Sequence, residues 1–317
     1  MLHGLLVLDK PSGCSSHDLV TWARRLLGQK RIGHTGTLDP LATGVLVLCL
    51  GAATRVAEYL TGQDKAYRSE LLLGYHSDTY DRDGTWQEHE EFTLGLEALQ
   101  GALHSFRGDI IQVPPAYSAI QVDGQRLYQL ARKGVIVTPP PRRVTISSLE
   151  LLEAPVELQR GSLVTLQVSC SKGTYIRSLA HDLGATLGCG ALLHGLRRTA
   201  SGNISLDDAW SLADAEAMVQ EGRTKELLYP LTPQCMGLPW LLLDHEGADH
   251  VSKGRVLPQE RISNPLPWPV ETSPMLLLTP QGISAIGVFD AVAKVIRPRK
   301  VLNEPVPVQL QPRTDDL

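Results

Sequence analysis

The chain has 317 residues, 43% hydrophobic and 20% charged, which suits a folded protein of two domains and excludes a largely disordered one. Its net charge of −4 and isoelectric point near 6.2 lack the overall excess of base usual in a nucleic-acid protein. The apolar run at residues 5–8 ends at Asp9 and Lys10, too short for a signal-peptide core or membrane span, so a cytoplasmic protein without membrane attachment is expected.

Residues 4–9 read as a buried strand, and Ser15 or Ser16 then caps a helix with Leu19, Val20, Ala23, Leu26 and Leu27 at helical spacing, ending at Gly28. A glycine-spaced loop occupies residues 33–44. A second buried strand follows at 45–50, then a short helix near 54–60 and an alternating strand at 67–73. Residues 93–106 predict a helix behind a Thr93 cap. Between Tyr117 and Thr145 the pattern leaves the core: short strand, short helix around 127–133, a Gly134 stop and the run Pro139, Pro140, Pro141. Strands resume at 144–152 and 164–170, and a helix with Ile176, Leu179, Ala180, Leu183 and Leu187 inward follows over 174–187. Strands and helices mix without strict βαβ repetition, which predicts an α+β domain on a mixed, mostly antiparallel sheet. Beyond a Pro-rich stretch at 229–239, short strands at 240–243, 275–278, 283–289 and 293–297 predict a small β-rich second domain.

Charge is unevenly spread. Acid gathers at Asp207, Asp208, Asp214, Glu216, Glu221 and Glu226. Base gathers at Arg24, Arg25, Lys30 and Arg31; at Arg126, Arg132, Lys133, Arg142 and Arg143; and at Lys172, Arg177, Arg197 and Arg198. Such clusters suit a polyanion-binding face, or simply a solvated surface. Cys14, Cys49, Cys170, Cys189 and Cys235 contain no CxxC pair and leave one over, so buried thiols are expected rather than disulfides or zinc.

The loop at 33–44 carries the strongest chemical signal. Pro40 drives Asp39 from helical dihedrals toward an extended backbone, and the flanking glycines admit close approach of a ligand, so one carboxylate is presented on a constrained loop. Such a carboxylate can serve as nucleophile, base or metal ligand, or can simply belong to an Asp-Pro turn. Other chemistries fall away: the loop lacks the Gly-Lys-Ser/Thr ending of a P-loop, no HExxH or GxSxG occurs, and the segment Asp81-Arg82-Asp83-Gly84 does not fit a calcium loop.

The whole stretch Gly33-His34-Thr35-Gly36-Thr37-Leu38-Asp39-Pro40-Leu41-Ala42-Thr43-Gly44 resembles the catalytic motif of the TruB family of pseudouridine synthases. The resemblance extends in order through Leu8-Asp9-Lys10-Pro11-Ser12-Gly13, Asp64-Lys65-Ala66-Tyr67-Arg68, Pro114-Pro115-Ala116-Tyr117-Ser118-Ala119, Ser171-Lys172-Gly173-Thr174-Tyr175-Ile176-Arg177-Ser178 and Leu196-Arg197-Arg198. It covers residues 3–230 well and the rest loosely. It implies a pseudouridine-synthase domain over 1–236 with a thumb insertion at 121–143, and a PUA-like RNA-binding module with a flexible tail over 237–317. The implied activity is isomerisation of a T-loop uridine in tRNA without metal or other cofactor. The implied partner is the tRNA T-arm, met by a monomer with no obligatory protein partner.

Carried onto this sequence, the resemblance makes Asp39 the nucleophile, Arg177 its ion-pair partner and Tyr67 a stacking platform or proton carrier. His34 would fill the space left by the extruded base. Tyr175 and Leu196 would line the pocket, and Asp81 would support it. Lys10 has a structural or RNA-facing role, and Arg126, Arg132, Lys133, Arg142 and Arg143 would contact phosphates. The rival implications are a guide-RNA-dependent synthase and an RNA-folding protein whose catalysis is secondary.

Overall fold

A computed structural model describes residues 1–118, 120–122, 124–127, 131, 134–135, 137–258 and 273–309; of 121, 122 and 126 it describes the backbone. Ten strands make the main sheet: β1 (Gly4–Lys10), β2 (Ile32–His34), β3 (Thr43–Leu50), β4 (Lys65–Leu73), β5 (Gly108–Gln112), β6 (Arg142–Glu153), β7 (Leu163–Cys170), β8 (Ala191–Ser201), β9 (Ile204–Ser205) and β10 (Leu228–Tyr229). They lie in the order β10-β1-β3-β8-β4-β7-β6-β5, with β2 added to β3 and β9 to β8. Neighbours pair antiparallel except β3 and β8, which run parallel where Arg197 and Arg198 meet Thr43 and Gly44. The expected mixed, mostly antiparallel α+β architecture is the one found.

The continuous apolar runs of β1 and β3 follow from burial on both faces. Leu6, Leu8, Leu46, Leu48 and Leu50 point to helix α1 (Ser16–Leu26), which is closed at its start by a reciprocal Ser15–Asp18 capping box. The alternate residues Leu5, Val7, Val45, Val47 and Cys49 point the other way, into a cluster with Leu276, Leu278, Ile283, Ile286, Leu302 and Val306. Those six come from a second sheet of β11 (Trp240–Leu242), β12 (Leu257–Pro258), β13 (Pro274–Thr279), β14 (Gly282–Asp290) and β15 (Val295–Val306), ordered β11-β13-β14-β15-β12. The two sheets therefore share one core, and an ion pair between Lys300 and Glu58, 2.6 Å apart, lies at its edge. At the other end of the main sheet, α2 (Leu96–Ser105) and α3 (Ile176–Leu187) cover Leu71, Leu73, Ile146, Val164 and Leu166.

Several elements differ from the sequence reading. Thr93 does not cap α2: it lies in a short strand, Thr93–Gly95, paired with Glu157–Gln159, and the helix begins behind Gly95 with no side-chain cap. A tertiary strand partner has outcompeted the local capping preference. The last strand runs on to Val306 rather than stopping near residue 297, because β14 pairs along it as far as Ile283 and Val306, whereas β12 meets it only at Val295 and Ile296. Pro298 therefore needs no amide hydrogen for a second neighbour on that side. Helices α4 (Leu212–Gln220) and α5 (His245–Ser252) were not anticipated. Within residues 121–143, Gln121–Val122 and Gln125–Arg126 pair as a small hairpin, and Leu127 and Ala131 are buried. The rest of the helix expected at 127–133 lies outside the described residues, as do Arg132, Lys133 and the tail from residue 310. All five cysteines are free, four of them buried.

Candidate active site

The Asp39 loop is held from beneath by the turn between β1 and α1. Ser16 clamps Leu38 in both directions: its Oγ donates to Leu38 O at 3.1 Å and accepts from Leu38 N at 2.8 Å. Lys10 is fully buried, and its Nζ donates to Pro40 O at 3.3 Å, Ala42 O at 2.7 Å and Pro11 O at 3.0 Å. Of the two roles left open for Lys10, these contacts suit the structural one. Burial lowers its pKa from the usual lysine value, and three carbonyl dipoles satisfy the ammonium. The backbone closes a turn from Ala42 N to Asp39 O at 3.0 Å, leaving the Asp39 carboxylate about one-third exposed at 35%.

Arg177 enters from the first turn of α3 and is buried. Its Nε lies 3.0 Å from Asp39 Oδ2 without an aligned hydrogen bond, so the contact is an ion pair. Its Nη1 lies 3.4 Å from Asp81 Oδ2 and donates to Thr79 O at 3.3 Å, while Nη2 donates to Tyr117 O at 3.0 Å. Four groups from three loops thus orient one guanidinium. Asp81 is fixed in turn, accepting from Thr79 Oγ1 at 2.6 Å and from Asp83 N at 3.1 Å. Burial raises the pKa of Asp81 above the ordinary carboxylate value; the Thr79 and Asp83 bonds and Arg177 oppose this but do not overcome it.

Tyr67 projects from β4 into the same region and is buried, which raises its pKa, with the Arg198 guanidinium acting in the opposite sense. His34, at the end of β2, is partly buried and its Nδ1 has no hydrogen-bond partner; burial first, then Arg198 and His17, lower its pKa. Tyr175 caps α3, and its backbone is bracketed by the fully buried Gln112, which accepts from Tyr175 N at 2.8 Å and donates to Tyr175 O at 3.0 Å. Arg142, at the start of β6, stands over the Tyr175 ring with Cζ 4.6 Å from its centroid. Leu196 is partly buried on β8 against the core under α3. Arg143 is exposed, 3.9 Å from Asp109.

The structure corrects the third basic cluster. Lys172 is exposed, but Arg177 and Arg198 are buried and Arg197 pairs with Asp9 at 2.7 Å, so these four do not form one polyanion-facing patch. Arg198 instead donates through Nε to Val45 O at 2.7 Å and through Nη2 to Gly36 O at 3.3 Å. The sequence reading missed Arg198, Gln112 and Ser16 as parts of the site. A pair of adjacent arginines looks like surface base, and only the neighbouring motif residues hinted otherwise. No cluster of residues suited to a metal ion is found among the described residues.

Residues 24–176 match the family described as TruB family pseudouridylate synthase (N terminal domain), and residues 177–234 match the tRNA pseudouridylate synthase B C-terminal domain. The chain is 42% identical over 309 residues to tRNA pseudouridine synthase B of Geobacillus thermodenitrificans, covering 95% of this chain and all of that one. The chain belongs to the TruB family of pseudouridine synthases. A second relative of the same name, from Pseudomonas paraeruginosa, is 47% identical over 75% of this chain and 76% of its own length. Among solved structures, that of a Cbf5-Nop10-Gar1 complex superposes with a TM-score of 0.73 at 25% identity, covering 97% of this chain and 88% of that one. The join between the two family segments falls between Ile176 and Arg177, so the Asp39–Arg177 ion pair links one segment to the other.

Proposed function

We propose that this TruB-family chain converts the T-loop uridine of tRNA, position 55, to pseudouridine, with Asp39 as the nucleophile. The observation that carries the reading is the Asp39 carboxylate itself, partly exposed and ion-paired with a buried arginine that three loops hold in place. The name of the relatives, tRNA pseudouridine synthase B, supports tRNA as the substrate. In the reaction the target uridine leaves its stack, with His34 taking its place, and Asp39 adds to the sugar C1′ or the ring C6. The N1–C1′ bond breaks, the base turns, C5 bonds to C1′ as the bond to Asp39 is released, and the proton lost from C5 is balanced by one gained at N1; the product is an isomer, so no co-reactant is consumed. Tyr67 stacks on the base and is the candidate to carry that proton. Tyr175 and Leu196 line the pocket, while Arg126, Arg132, Lys133, Arg142 and Arg143 take the phosphates of the T-arm.

In the same reading residues 1–236 form the catalytic domain with a thumb at 121–143, and residues 237–317 form a PUA-like RNA-binding module. The protein acts as a cytoplasmic monomer. The test is pseudouridine formation in a tRNA transcript by the purified chain alone, beside Asp39→Asn. We expect the parent to act without added RNA or protein, and Asp39→Asn to lose at least about a thousandfold in rate while still binding tRNA. Dependence on a guide RNA would favour the rival branch, and an active Asp39→Asn would end the nucleophile assignment.

A further inference from the structure

Among the charged groups buried beneath the Asp39 loop, Arg198 has the geometry of a device rather than a filler. Its residue is 2% exposed, and its two carbonyl partners, Gly36 O and Val45 O, lie on either side of Asp39 in the chain. One rigid, planar cation therefore spans the whole nucleophile loop. The backbone beneath it is equally constrained. Gly44 has φ +100°, and a Cβ placed there would sit 2.2 Å from Arg198 O, so the loop's exit strand lies directly on the strand that carries Arg198.

Tyr67 is the direct partner of Arg198 across the antiparallel β4–β8 pairing, which puts both side chains on one face of the sheet. The guanidinium gives its hydrogen bonds to the two carbonyls, and its charge acts on the neighbouring phenol. Two hydrogen bonds thus reach the loop of Asp39, and the charge faces Tyr67 across the strand pairing. We infer that Arg198 is a positioning residue of the isomerisation, its guanidinium fixing both ends of the nucleophile loop and orienting the Tyr67 hydroxyl toward the base. This inference rests on the roles of Asp39 and Tyr67 proposed above.

The electrostatic setting makes the idea separable from simple packing. Around Tyr67 stand Arg198 from β8, Cys170 from β7 and Asp39 from the loop; burial, Cys170 and Asp39 disfavour the phenolate, and Arg198 favours it. Lys10, His34 and Lys65 also feel the Arg198 charge. Removing that charge makes Tyr67 harder to ionise, so a step that uses the phenol slows. A purely structural arginine would slow the reaction by the same factor with or without the phenol.

The experiment is a double-mutant cycle. Arg198→Lys and Arg198→Gln are made alone and with Tyr67→Phe, and single-turnover conversion of a T-arm RNA is followed from about pH 6 to about pH 9, with RNA affinity and thermal unfolding measured in parallel. In the Tyr67 background we expect unchanged RNA affinity and a chemical step slower by at least about tenfold, with Arg198→Lys retaining more of the rate than Arg198→Gln. In the Tyr67→Phe background the same substitutions should cost less than about threefold. Equal losses in both backgrounds at every pH, or a loss confined to RNA affinity, would overturn the inference. Arg198→Lys keeps the charge and the buried stem, so the cycle stands should Arg198→Gln not fold. An active Asp39→Asn would instead defeat the underlying functional reading, whatever the Arg198 cycle gives.

Discussion

Replacing Asp81 by Asn removes one of the two carboxylates on Arg177 while keeping the side chain's shape. At the 3.4 Å separation of Arg177 Nη1 and Asp81 Oδ2, two unit charges attract by about 5 kcal/mol at an effective permittivity near 20. Burial of both groups costs a comparable amount, since each ion loses several kcal/mol of hydration, roughly speaking, on leaving water. The pKa of Asp81 decides the balance: it is raised, so burial outweighs the attraction of Arg177. Asp81→Asn should therefore unfold in urea within about 1 kcal/mol of the parent. Asp81→Ala is different, because it strips the acceptor from Thr79 Oγ1 and Asp83 N, and should cost about 2–4 kcal/mol. The sign with pH follows. A carboxyl that holds its proton above its ordinary pKa of 3.8 stabilises the fold below that value and loses the contribution as pH rises through the native pKa, a dependence that the Asn variant lacks. Catalysis should suffer more than stability. With one of its four partners lost, Arg177 orients Asp39 less firmly, and single-turnover conversion of a T-arm RNA should fall about tenfold at unchanged RNA affinity. A loss of more than about 3 kcal/mol in Asp81→Asn, or an unchanged rate, would refute this reasoning.

Gly44→Ala forces a Cβ to 2.2 Å from Arg198 O in a left-handed backbone, so urea unfolding should show a loss of about 3 kcal/mol or more as the β3–β8 pairing gives way. Lys10→Met relieves a buried charge but leaves the carbonyls of Pro11, Pro40 and Ala42 without their donor; a net loss of about 2–4 kcal/mol and a slower chemical step are expected, read by urea unfolding and single-turnover assay. His34 should remain neutral through its ordinary pKa of 6.5, because burial and Arg198 both oppose a proton there. As pH falls through 6.5 the unfolded chain takes up a proton that the native imidazole refuses, so this group makes the fold less stable toward acid; an NMR titration of the imidazole showing a pKa at or above 6.5 would contradict it.

Periodicity located the main strands and α1 because both are short-range consequences of which residues are apolar. The runs at 4–10 and 43–50 are apolar throughout because each alternate face meets a different layer, α1 on one side and the second sheet on the other. What covers each face is a long-range matter, and so is the capture of Thr93 by Glu157–Gln159 in place of a helix cap.

The candidate site divides in the same way. Asp39 could be singled out from the sequence because its chemistry is local: a proline after it, glycines around it, and an acid that needs no activating base. The arginine that holds it was recognisable only through the motif of residues 171–178, since one arginine in a helix looks like any other. That Arg177 meets Thr79 O across 98 residues and Tyr117 O across 60, and that Lys10 and Arg198 are buried cations bonded to the loop's own carbonyls, is decided by tertiary structure alone. The physical reason is that residue type fixes a group's charge and reach, whereas its burial and partners are set by chain segments far away in sequence.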